Sequence, residues 1–278
     1  EIVFTQKSGT PATPGAFTSG ETAVCPGISE TYTVPNDATA SEYIWTLPSG
    51  WNGTSTMNSI TVTTGNSGSG NITVKAKNSC GTSEARSIAV SVKAGTPATP
   101  GTIDGTAAVC PGVPQTFSIA AVTGATIYNW TFPSGWTGSS TSTTITLTPN
   151  AGSAQNGNLS VTATNDCGTG PAKTLAISVK PGTPVQPAAF TTGPATLCPS
   201  TSSTYSVPVV TGATQYIWTL PTGFSAPSLT TSNPSLVVTA GNSGSGNITV
   251  KASNDCGTGT EQSMAISINP PKPVMSGD

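Results

Sequence analysis

One unit is written three times along this chain of 278 residues. Each copy opens on a Pro-rich lead-in (TPATPGAF, TPATPGTI, TPVQPAAF) and passes through a Cys-Pro dipeptide at Cys25, Cys110 and Cys198. Next come YIWTLPSGW, YNWTFPSGW and YIWTLPTGF, followed by ITVKAKNSCGT, LSVTATNDCGT and ITVKASNDCGT. Each copy closes on an apolar run: IAVSVK, LAISVK and MAISIN. The period, about 86–89 residues, suits a small independently packed domain and is too long for one turn of a solenoid. The copies are bounded at 8–93, 94–180 and 181–269.

Within a copy the apolar residues alternate with polar ones, the period-2 signature of strands with one buried face. In the first copy the runs are Tyr32/Val34, Tyr43/Trp45/Leu47, Ile60/Val62, Ile72/Val74/Ala76 and Ile88/Val90/Val92. No segment carries a helical stripe. Clusters of Gly, Asn, Ser and Pro, such as GNSGSG at 65–70 and 241–246, separate the runs and read as hairpin turns. About seven short strands per copy result, and the fold class is an all-β, antiparallel sandwich repeated in tandem.

Charge excludes several kinds of partner. Asp, Glu, Lys and Arg together make up 7% of the chain and the net charge is −2. A nucleic-acid surface needs a basic stripe to neutralise phosphates, and an anionic membrane needs a polybasic segment; neither is present. No apolar run approaches the roughly 20 residues of a spanning helix, so membrane insertion is not expected. The even number of cysteines, 6, suits an oxidising compartment outside the cytoplasm.

The order of elements resembles that of an immunoglobulin-type sandwich, with Trp45, Trp130 and Trp218 at the place of the core Trp of the third strand. Val34 and Val74 stand where that superfamily usually carries its inter-sheet disulfide. On VCPG, YxWTxPSGW and NxCGT the whole chain is also similar to the PKD-like and Ig-like repeats of very large Bacteroidota surface proteins, including gliding-motility adhesins and proteins exported by the type IX system. That resemblance implies three Ig-like or PKD-like domains in a rod, on the surface of a Gram-negative bacterium or secreted from it. Where PKD domains typically carry a WxFGDG-like stretch, this chain has WTLPSGW.

Six cysteines allow fifteen pairings. Three identical bridges within the copies, Cys25–Cys80 and its equivalents, form the plainest scheme. Under an Ig-like strand order, however, Cys25 and Cys80 fall at opposite poles of one sandwich. A strand of six residues spans about 20 Å, whereas bridged Cα atoms lie within about 7 Å. The alternative joins neighbouring domains through Cys25–Cys167 and Cys110–Cys256, with Cys80 and Cys198 turned toward a next repeat or another subunit. Both schemes stand at this level.

The ends extend the repeat. Ile2 to Lys7 aligns with the closing strands Ile88 to Lys93 and Leu175 to Lys180, so residues 1–7 read as an orphan last strand of a preceding unit. Residues 270–278 read as the lead-in of a following one. The chain is then either a piece of a longer array or a subunit that donates a strand to its neighbour.

Catalytic candidates are lacking. There is no histidine, the commonest general base and neutral metal ligand. The cysteines lack the paired short spacing of zinc sites, and the acids lack the close series of a calcium loop. Hence no catalytic residue, metal or cofactor is expected, and the chain does not read as an enzyme. Asp166 and Asp255, each beside a Cys in a turn, read as turn caps. Trp51, Trp136 and Phe224 recur after the P-S/T-G turn, either plugging the sandwich and its joint or stacking on sugar rings. The five N-x-S/T sequons, at Asn52, Asn71, Asn129, Asn158 and Asn247, are what a chain this rich in Ser and Thr carries by chance.

Two functions follow. The first is a structural or adhesive stalk or filament module of a surface protein, polymerising head to tail through strand donation or disulfides. Its partners are neighbouring repeats or copies of itself, and the Pro-rich lead-ins limit bending at its joints. The second is a carbohydrate-binding array, attached to a secreted enzyme or adhesin, that takes surface glycans.

Overall fold

The computed structural model describes residues 9–269. Segments 1–7 and 270–278, the orphan strand and the trailing lead-in of the sequence reading, lie outside the described residues.

The alternating runs become strands. The first domain contains β1 (Ala23–Val24), β2 (Ser29–Thr33), β3 (Glu42–Thr46), β4 (Ser59–Thr63), β5 (Ser69–Asn78), β6 (Gly81–Thr82) and β7 (Arg86–Val92). One sheet runs β1-β7-β5-β3 with β6 paired to β5; the facing sheet pairs β2 with β4. All these pairs are antiparallel except β1 with β7, where Ala23 and Val24 lie parallel to Ser91 and Val92. The second domain repeats the larger sheet with Ile127–Thr131, Gly157–Asn165, Lys173–Val179 and Ala108–Val109. The third repeats it with Gln215–Thr219, Ser245–Asn254, Gly257–Ile268 and Thr196–Leu197. In each, a three-stranded sheet replaces the β2–β4 pair. The GNSGSG segments are not hairpin turns: β4 pairs with β2 and β5 with β3 and β7, so residues 65–70 carry the chain from one sheet to the other.

Every domain has its own core, and no core cluster contains residues of two domains. Val34 and Val74 are both fully buried in one cluster, so a packed valine pair occupies the place of the inter-sheet disulfide. Trp130 and Trp218 are buried, whereas Trp45 is only half-buried. Each indole finds its own partner: Trp130 Nε1, with no added strand beside it, donates to Ser142 O at 3.0 Å. In the third domain Thr230–Thr231 adds a strand beside Gln215–Thr219, and Trp218 Nε1 donates to Thr231 Oγ1 at 3.0 Å. The first domain has no strand there, and the Trp45 indole donates to the carbonyl of the exposed Met57 instead.

A glycine floors the same aromatic site in each domain. A Cβ on Gly20 would lie 2.1 Å from Tyr32 Cδ1, on Gly105 2.5 Å from Phe117 Cδ1, and on Gly193 2.2 Å from Tyr205 Cδ1. All three have positive φ, which only glycine adopts freely. Where the ring is Tyr, its hydroxyl donates at 2.7 Å to the carbonyl of Glu21 or Pro194.

Candidate functional site at the domain joints

The parallel pairing of β1 with β7 prepares one pole. It brings the end of β1, and with it Cys25-Pro26, beside the residue at which the chain leaves the domain. Lys93 N donates to Val24 O at 2.7 Å, Lys180 N to Val109 O at 2.9 Å, and Asn269 N to Leu197 O at 2.8 Å. A cysteine and the exit residue thus share the lower pole of every domain.

The upper pole is built by the turn after β5 and by the lead-in. In the second domain Asn165 shapes that turn, its Oδ1 accepting from Cys167 N at 2.9 Å while its Nδ2 donates to Gly95 O at 2.8 Å. Asn254 does the same with Cys256 N and Gly182 O, and also donates to Gly212 O at 2.8 Å. Asn78 holds Cys80 N, Gly9 O and Thr39 O. The glycine after each cysteine has positive φ, and the lead-in threonine sits over it: a Cβ on Gly257 would meet Thr183 Oγ1 at 3.0 Å. The turn caps are therefore these asparagines. Asp166 and Asp255 are free for another task.

The lead-ins are not linkers. Pro11 and Pro14, Pro97 and Pro100, and Pro184 and Pro187 are all buried. Their spacing of three matches the turn of a polyproline II helix, which sets both rings on one side. Arg86 Nε donates to Pro14 O at 2.9 Å, and Gln186 Nε2 to Glu261 O at 2.6 Å, fastening the first and third lead-ins to the last strands of the domains they precede. The prolines therefore stiffen the domain, and the free span between domains shrinks to about two or three residues.

Across each joint the two poles meet. Cys25 bonds Cys167 and Cys110 bonds Cys256, with Cα atoms 5.4 and 5.5 Å apart. Of the two schemes, this is the one between neighbours. Lys93 Nζ lies 3.3 Å from Asp166 Oδ2, and Lys180 Nζ 3.3 Å from Asp255 Oδ2. A Cβ on Gly95 would come within 3.3 Å of Pro26 Cγ, so the first joint is tight at its centre. Cys80 and Cys198 are unbonded and exposed at the two outward poles.

The aromatics lie elsewhere. Trp51 and Trp136 are 7% and 5% exposed, belong to the cores of their own domains, and Trp136 Nε1 donates to Gln155 O at 2.9 Å. Phe224 is half-buried against the third core. Of the two readings of the tryptophans, plugging is the one their burial supports, each ring closing the end of its own sandwich. None of the three takes part in the disulfide-bonded joints.

These features define a tandem array of Ig-like sandwiches locked pole to pole by disulfides. The chain belongs to the PKD-like domain family, whose model matches residues 10–90, 96–177 and 183–266. Among solved structures it is similar to the FN1–FN3 domains of chicken CNTN1, at 17% identity over 93% of this chain and 99% of that one, with a TM-score of 0.32. It is similar also to FdeC, an Escherichia coli adhesin, at 11% identity over 94% and 96% of the two chains, with a TM-score of 0.35. No curated protein matches it.

Proposed function

We propose that this chain is a stiff structural module, a stalk or filament segment of an adhesive protein on the surface of a Gram-negative bacterium of the Bacteroidota type. The observation that carries the reading is the doubled joint: two successive domain pairs are closed by equivalent disulfides, ion pairs and asparagine bonds to the linker. A flexible tether would gain nothing from a covalent lock at every joint, whereas a load-bearing rod does. Disulfides also favour an oxidising, extracellular setting. The module carries out no catalysis in this reading, in keeping with a sequence that has no histidine.

Small-angle scattering and electron microscopy of the chain, with and without reductant, test the proposal. A rod of narrow length distribution that broadens on reduction is expected. A compact particle, or one whose bending is indifferent to reduction, argues against it.

A further inference from the structure

Each outward pole is half of a joint that the molecule builds twice inside itself. At the lower pole of the third domain, Cys198-Pro199 stands where Cys25-Pro26 and Cys110-Pro111 stand, and the exit residue Asn269 keeps the register of Lys93 and Lys180. At the upper pole of the first domain, Asn78 holds the Cys80 turn and Gly9 as Asn165 and Asn254 hold theirs. Among the described residues, the backbone of both poles is prepared as it is at the inner joints.

The ion pair of the inner joints is not repeated by the residues Asn269 and Ser79. Both inner joints pair a lysine with an aspartate. At the outer faces the lysine position is Asn269 and the aspartate position is Ser79, so both members of the ion pair are neutral together.

We infer that the Cys198 pole of one molecule docks on the Cys80 pole of a second copy, as the inner poles dock, and that the two thiols form an intermolecular disulfide. This rests on the stalk reading and names the partner of its ends. The step needs an oxidant of the disulfide class. Two protein thiols give up two protons and two electrons, one protein disulfide forms, and one small-molecule disulfide is cleaved to two thiols.

The test mixes equal amounts of the C80S and C198S chains with oxidised glutathione. Both changes fall at exposed positions outside the cores, so both chains fold. A covalent heterodimer is expected at least about tenfold faster than dimers of either variant alone, with one linked peptide pair containing Cys198 and Cys80, while the unaltered chain forms a ladder of oligomers. Homodimers forming as fast as the heterodimer, or glutathione adducts alone, would overturn the inference. The C80S/C198S double variant separates it from the reading beneath it. If that monomer is a rod but the single variants do not join, only the end-to-end contact fails; if it is compact, the stalk reading fails too.

Discussion

The side-chain amide of Asn165 donates to the carbonyl of Gly95 at 2.8 Å while its oxygen caps Cys167 N, so one side chain ties the incoming linker to the turn that carries the disulfide. Without it the cysteine would sit on an unsupported turn and the linker would be free to swing. The disulfide and the linker are thereby parts of one rigid element, and the third domain repeats it through Asn254.

The two asparagines differ in one respect that can be measured. Asn254 Nδ2 serves a second carbonyl, that of Gly212, which Asn165 does not have an equivalent of. Replacing either by Ala should destabilise its domain by about 1–3 kcal/mol, with Asn254→Ala at the upper end because it leaves two carbonyls, that of Gly212 half-buried and that of Gly182 exposed, without a donor. Urea unfolding of the two variants, read against the unaltered chain, gives the order directly; equal midpoints would disprove it.

Gly20 and Gly193 are expected to resist any side chain. A Cβ would overlap the ring of Tyr32 or Tyr205 at just over 2 Å, and the positive φ adds backbone strain. Overpacking of this kind costs about 1–3 kcal/mol before the strain is counted. Gly20→Ala should thus lower the melting temperature of the first domain markedly, while Gly101→Ala, where a Cβ would meet nothing within 4 Å, should leave the second unchanged.

Most of the fold was legible because strand alternation and a threefold repeat are both one-dimensional signals. Which faces met at the joints was less so. The opposite poles of Cys25 and Cys80 followed only once an Ig-like strand order was granted, and spacing alone left two pairing schemes open. The role of the lead-in was misread since a Pro-rich run looks alike whether it bridges domains or lies on one; the burial of Pro97 and Pro100 depends on what passes beneath them. The Asx caps were placed one residue late. Asn and Asp both cap turns, and only the backbone geometry singles out Asn165 over Asp166. Trp51 and Trp136 lie outside the strand alternation, so the sequence leaves plugging and stacking both open for them.

Those two tryptophans allow a direct comparison of the two functional readings. Each is a buried core ring, so Trp51→Ala or Trp136→Ala should destabilise its domain by about 3–5 kcal/mol. Glycan binding should be the same before and after, because neither ring presents a face to a sugar. Thermal unfolding together with a glycan array on the variants that remain folded reads both effects; selective loss of a glycan signal from a folded variant would restore the carbohydrate-binding reading.

Alkaline titration probes the same repeated site by a different route. Burial pushes the Tyr32 phenol from its ordinary value near 10 up to about 12, and the carboxylates of Glu30 and Glu21 add to the shift. The protonated ring is the form the fold accepts, so its contribution to stability is complete below pH 10 and is lost as pH rises toward 12, where the unfolded chain has released its proton and the folded one has not. Burial raises Tyr205 in the same direction. The second domain carries Phe117 at this position and supplies an internal control. Melting of the first and third domains should fall between pH 10 and 12 more steeply than melting of the second. Tyr32→Phe should remove the excess slope from the first domain, at a cost near 1 kcal/mol at neutral pH for the lost bond to Glu21 O. Parallel decline of all three domains would show that the buried phenols are not its source.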